Sequence, residues 1–287
     1  SAQQGTFTIL ASMAVNDTID LVLGFTPKFI LFTWTGRASA VDAAGRATCD
    51  KGFGMATSTT ARGCQFVVEP DAATTRLVNT RMHNNACIGV MSHTTNATEG
   101  LADLSVFAAT TTVIIDQVFG HDVTVSYLAV GGDSITNAAV VDWTSPVATG
   151  EFDAETALGF TPTFVLPMVH MSPTINAAMS GAALAIGAFS SSSLRATIGT
   201  LGADISSNTY CKRYGLDIEC LGTWSSGWNL AQRHDVTATP FTPSTGTGFE
   251  MNCLEFHQAN VGLALCVAGG DFTVSTFATK TDTSNIT

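Results

Sequence analysis

Residues 23–32 read LGFTPKFILF and residues 158–167 read LGFTPTFVLP, seven identities in ten with five of them consecutive. A second pair of segments follows at a similar distance, YLAVGGD at 127–133 and LCVAGGD at 265–271. From Gly24 to Gly131 is 107 residues, and from Gly159 to Gly269 is 110. Two anchors that recur in the same order at nearly the same separation mark an internal duplication, each copy forming one structural unit. Between the anchors the likeness weakens but keeps its order. FGMAT at 53–57 answers IGAFS at 186–190, and Cys87-Ile88-Gly89 answers Cys220-Leu221-Gly222.

The repeat framework is therefore Gly24, Phe25, Pro27, Gly131, Gly132 and Asp133 in the first copy, and Gly159, Phe160, Pro162, Gly269, Gly270 and Asp271 in the second. Its local pattern is that of strands. Val123 to Val130 alternates and is rich in β-branched residues, Leu263 to Val267 is a shorter and more uniformly apolar version, and each stops at Gly-Gly-Asp, a turn signal. In the GFTP segment, glycine can supply a positive φ and proline can open a strand without losing a ladder bond. Phe29 to Phe32 and Phe164 to Leu166 then read as core strands. The best short helix is Thr98 to Ala109, and no longer amphipathic helix is visible. Many short strands with Gly, Ser and Thr turns predict an all-β chain of two tandem jelly-roll-like antiparallel β-sandwich domains. These occupy 1–137 and 138–287, the second ending in a short polar tail, with 134–140 as the connecting segment.

Of the 287 residues 45% are hydrophobic and 12% charged, and the net charge is -11, with 12 basic residues against 23 acidic. The only adjacent basic pair is Lys212-Arg213, so neither a phosphate backbone nor an anionic membrane finds a positive patch to bind. No apolar run approaches the ~18 residues of a membrane-crossing helix. The opening Ser-Ala-Gln-Gln-Gly carries no basic or apolar leader, and seven cysteines are an odd number, so the expectation is a protein made in a reducing cytoplasm with buried free thiols.

Each arrangement of reactive residues has a simpler reading. Cys253 and His257 stand four apart, roughly 13 Å on a strand, too far for one metal ion. Asp217 and Glu219 share a strand face at ~7 Å, close to a glycosidase spacing, but such pairs usually come from different strands and a solvated edge accounts for them. No serine sits in a nucleophile elbow, and no phosphate or dinucleotide loop is present, so no catalytic residue, cofactor or metal is expected. Trp224 and Trp228 in GTWSSGWNL, with Asn229 and Arg233, form the one candidate contact surface for a glycan or a protein partner. Trp34 and Trp143 read as core or domain-junction residues.

The GFTPKFILF strand with its Gly36-Arg37 turn, together with YLAVGGD, resembles repeats in tailed-bacteriophage virion structural proteins of the head-decoration or fibre and spike type. The resemblance covers the repeat framework, not the intervening loops, and carries no catalytic or ligand residues with it. It implies a non-enzymatic protein of the virion surface, made in the host cytoplasm, whose partners are other capsid or tail subunits and copies of itself, a trimer being favoured. The alternative it implies is a receptor-binding fibre or spike component that recognises a host surface glycan.

Overall fold

The computed structural model describes residues 1–36, 48–70, 78–92, 95, 97–180, 182–205, 208–216, 219–224, 230–256 and 258–274, and among them every regular element is a strand. The first half contributes β1 (Ala2–Ile9), β2 (Thr18–Val22), β3 (Pro27–Thr35), β4 (Thr48–Ala56), β5 (Arg62–Pro70), β6 (Asn79–His83), β7 (Ile88–Met91), β8 (Thr98–Val106), β9 (Thr110–Gln117) and β10 (Val123–Gly131). The second contributes β11 (Ile135–Thr144), β12 (Gly150–Glu155), β13 (Phe164–His170), β14 (Ala178–Ser180), β15 (Ala182–Phe189) and β16 (Arg195–Ile205). It continues with β17 (Asn208–Leu216), β18 (Leu221–Trp224), β19 (Leu230–Val236), β20 (Phe249–Glu255) and β21 (Val261–Gly269).

Setting β14 aside, the second half repeats the first strand for strand. An inner sheet β1-β10-β3-β4-β5-β6 and an outer sheet β2-β9-β8-β7 become β11-β21-β13-β15-β16-β17 and β12-β20-β19-β18, all antiparallel. In each half the first three and last two strands alternate between the two sheets. The strands between run as two meanders, each strand pairing antiparallel with the next in its sheet. The β4–β5 and β15–β16 turns are the same device in both halves. Thr57 N–H donates to Ala61 O at 2.9 Å and Ser190 N–H to Leu194 O at 2.9 Å, while Ser58 Oγ and Ser191 Oγ accept the N–H groups of Ala61 and Leu194. A serine hydroxyl that mimics a backbone acceptor closes the turn in each case.

Three large apolar cores, with a small fourth cluster of Val67, Val78 and Leu184 between the halves, stack the four sheets into layers. Ile30, Phe32 and Trp34 of β3 face the first outer sheet with Phe66, Val125 and Ile115. Val165, Ala264 and Cys266 face the second outer sheet with Phe189, Phe249 and Met251. The third core lies between the two inner sheets, where Phe29, Met55 and Met82 meet Met168, Leu263, Leu265 and Val267. Strands β3, β13 and β21 are thus buried on both faces, which is why they read as nearly continuous apolar runs. Gln65 reaches across to donate to Val169 O at 3.0 Å, and β14 crosses over to pair with β6 of the first half.

Several local expectations give way. Thr98 to Val106 is a strand, not a helix, since Gly100, Ala102 and Leu104 turn inward at period two once β7 and β9 flank them. The connecting segment expected at 134–140 is taken up by β11 from Ile135 onward, its Asn-Ala-Ala paired with β21. The second anchors align one residue differently from their sequence match. Leu128 opposes Leu31 and Leu265 opposes Leu166, which equates Leu128 with Leu265, and the same offset of one residue holds to the ends of both strands. Gly132 (φ 106°) then corresponds to Gly269 (φ 77°).

Each sandwich has a point at which its two sheets touch backbone to backbone most closely among the described residues. A Cβ on Gly54 would stand 1.9 Å from Cys87 O, and a Cβ on Gly187 would stand 1.5 Å from Cys220 O. Neither carbonyl can withdraw, because Cys87 N–H and Cys220 N–H are held by Ala102 O and His234 O. Gly54→Ala and Gly187→Ala are each expected to destabilise the chain by about 3 kcal/mol, read as a fall in urea unfolding midpoint, while Gly24→Ala, with nothing within 4 Å, meets only the strain of its positive φ.

Candidate functional site

The repeat framework residues of the first half converge on one corner. Gly24 turns the chain at φ 71°, Pro27 opens β3 opposite Gly131, and Gly131 must be glycine because a Cβ would meet Thr26 O at 2.6 Å. The second half repeats the turn with Gly159 at φ 77°, and Gly269 and Gly270 follow at φ 77° and 72°. Phe25 and Phe160 each pack from this corner against the core of their own sandwich. In the first half the corner opens into a shallow cleft of about 570 Å³ whose walls include Phe25, Pro27, Lys28, Phe107, Asp133 and Asn137. Two aromatic rings, a proline and scattered amide and hydroxyl groups suit contact with a partner's side chains. In the second half Asp271 is followed by Phe272, whose ring stacks on Phe164 at 4.8 Å.

The surface expected around the tryptophans is described in part. Trp224 ends β18 opposite Leu230, while Trp228 and Asn229 lie outside the described residues, as does Asp217. Arg233 on β19 donates from Nε to Glu219 Oε1 at 2.7 Å and from Nη1 to Glu255 Oε1 at 3.1 Å. Its guanidinium is held at the half-exposed surface between these two carboxylates, and the pairing raises its affinity for the proton. Glu219, expected on a solvated edge, is buried beneath that guanidinium. The sequence hid this because its partner stands fourteen residues away across the β18–β19 hairpin. Leu254 and Phe256 are exposed nearby at the end of β20.

Other charged groups are likewise consumed by the fold, in matching positions of the two halves. Arg62 pairs with Asp103 and Arg195 with Asp235, each joining the inner sheet to the outer. His121 Nε2 lies 2.9 Å from buried Asp50. His234 sits edge-on to Trp143 at 5.6 Å, and burial pushes its pKa down to about 3. Trp34 and Trp143 are core residues, their indole N–H groups donating to Gly89 O and Leu263 O. Cys64, Cys87, Cys220, Cys253 and Cys266 are free and buried, and burial raises their thiol pKa values. Among the described residues no group of three or more His, Cys, Asp and Glu side chains could hold a metal ion; Cys253 faces inward and His257 is not described.

At the junction between the halves, His170 and His83 are both held below the ordinary histidine range by burial. His170 is fully buried at the end of β13, its Nε2–H donating to Ala177 O at 3.1 Å, and the nearest charged or titratable groups acting on it are Arg81 and His83 of β6. Burial, followed by those two groups, pushes its pKa down to about 4, and burial lowers that of His83, whose ring stacks on Phe66.

The chain matches no protein-family model, and no curated protein is significantly similar to it.

Two outcomes are expected. Arg233→Ala strands the Glu219 charge in the interior and lowers stability by about 3 kcal/mol, whereas replacing both residues by leucine restores most of the loss, as urea unfolding would measure. Because the folded-state pKa of His170 lies below the ordinary 6.5, the unfolded chain binds the proton first as pH falls. Its contribution is therefore intact above pH 6.5 and lost progressively toward pH 4, by about 3 kcal/mol. Unfolding midpoints of wild type and His170→Gln across that range should diverge, with the variant the flatter.

Proposed function

We propose that the chain is a non-enzymatic structural protein of a tailed-bacteriophage virion, a head-surface decoration or vertex and head-fibre protein that assembles as a trimer. The observation that carries this reading is the strand-for-strand repetition of one ten-stranded sandwich within one chain. Three such chains supply six similar sandwiches, which suits a six-fold or quasi-six-fold platform. The framework corner that carries the resemblance to phage repeats occurs in both halves, so each chain offers related contact surfaces twice. Its interior supports the same reading. Arg62, Arg195 and Arg233 are each held by a carboxylate of the same sandwich, five thiols are buried, and a net charge of -11 disfavours contact with a packaged genome.

The second reading is a receptor-binding fibre or spike component that stacks a host glycan on Trp224 and Trp228. The exposed Leu254 and Phe256 near the end of β18 favour it. Antibody against the purified chain, applied to intact particles of the source culture and viewed by electron microscopy, separates the two. Label over the heads, together with a native mass of three chains, is expected. Label confined to the tail tip would replace the decoration reading with the receptor reading, and unlabelled particles with a monomeric mass would overturn both.

A further inference from the structure

The two inner sheets do not cover one another completely. β11 packs over β3, β4 and β5, and β15 over β5 and β6, so the second half is displaced sideways along the first. Among the described residues β1, β10, β16 and β17 contribute only Val130, at the tip of β10, to the third core, so β1 and β10 flank the overlap on one side and β16 and β17 on the other. Each overhang exposes the next row of the same face that forms the third core. Leu31 packs on that core, and its cross-strand neighbour Leu128 is 39% exposed. Ile186 packs on it too, and its cross-strand neighbour Ile198 is 64% exposed, with only Gly215 beside it on β17.

The exposed edges lie along the same steps. Among the described residues β1, β11 and β17 each pair with a strand on one side alone. β1 and β11 carry no Lys, Arg or Pro, the residues that ordinarily discourage a further strand from joining, whereas β17 carries Lys212 and Arg213. The rest of the β1–β10 step is uncharged, with Thr6, Ser126 and Thr33 in one cross-strand row and Gln4 beside Leu128 in the next.

We propose that these steps are an interface between copies of the chain, the β16–β17 overhang of one copy lapping onto the β1–β10 overhang of the next. The inference deepens the oligomeric reading above, on which it rests for the number of copies, by naming the faces that meet. A second copy is the fitting occupant because the two faces already pack against each other inside the chain, and the lap continues that contact outward by one row of residues. It sets Ile198 over Leu128 and brings the free edge of β17 toward β11 of its neighbour, and β1 toward β14. Such a joint is head-to-tail, and it closes into a ring when the turn from copy to copy divides a full circle.

The test uses full-length chains carrying Leu128→Cys or Ile198→Cys, treated with a short bismaleimide, with the parent chain as control. Mixing the two variants is expected to give a linked pair that neither gives alone, and a chain with both changes is expected to give linked species ending at three. Leu128→Arg, on an exposed site that leaves the fold intact by circular dichroism, is expected to reduce the native mass to one chain. Linkage of Leu128→Cys to itself, or a native mass unchanged by both Leu128→Arg and Ile198→Arg, would overturn the proposal. Mixed linkage with unlabelled particles would uphold this interface and remove the virion reading; labelled particles without mixed linkage would do the reverse.

Discussion

The contact between the two inner sheets is the constraint on which the rest of the molecule depends. A β-sheet normally offers one face to a core and the other to water, which permits alternation of apolar and polar residues. Here β3, β13 and β21 must serve two cores at once. Phe29 and Leu31 point toward the other half while Ile30 and Phe32 point into their own sandwich, so FILF has no polar position to spare. The outer sheets, with one core face each, are free to carry acidic strands such as β2 and β12.

The fold class was legible because duplication multiplies weak signals. A single GFTP segment is a turn followed by an apolar run; two of them, each followed at a similar distance by a second anchor, fix equivalent elements across the chain. The layer order was not legible. FILF and LALCV announce burial on both faces, yet nothing in one sequence says whether the second face meets a helix, another subunit or the other half of the same chain. The misread helix at Thr98 to Ala109 has a related cause. Leu101 and Leu104 fall at a helical interval, and only pairing with β7 and β9 selects the period of two. Likewise Glu219 reads as a surface acid until the hairpin folds Arg233 over it.

The framework residues of the candidate corner were legible because glycine and proline act through the backbone, where sequence and conformation are tightly linked. Gly24 and Gly159 adopt the positive φ their position suggested, and Pro27 opens its strand. The long-range electrostatics were not legible. The pairs Arg62–Asp103 and Arg195–Asp235 span about 40 residues each, and their equivalence emerges only when the two sandwiches are superposed in strand order. The fold has used the same solution twice, an arginine of the inner sheet bound to an aspartate of the outer sheet beside a buried cysteine, Cys87 in one half and Cys220 in the other.

The crossing of β14 to β6 has a consequence for how the protein is made. The first inner sheet lacks its last strand until residues 178–180 have been synthesised, about 95 residues after His83. At ordinary elongation rates that is an interval on the order of ten seconds. During that interval the nascent first half has most of its strands but stands with the β6 edge open and with Phe29, Met55 and Met82 uncovered. On the ribosome, therefore, the two halves are not independent folding units in sequence. The earlier one is held incomplete, with an exposed edge and an apolar face, until the later one arrives to finish it.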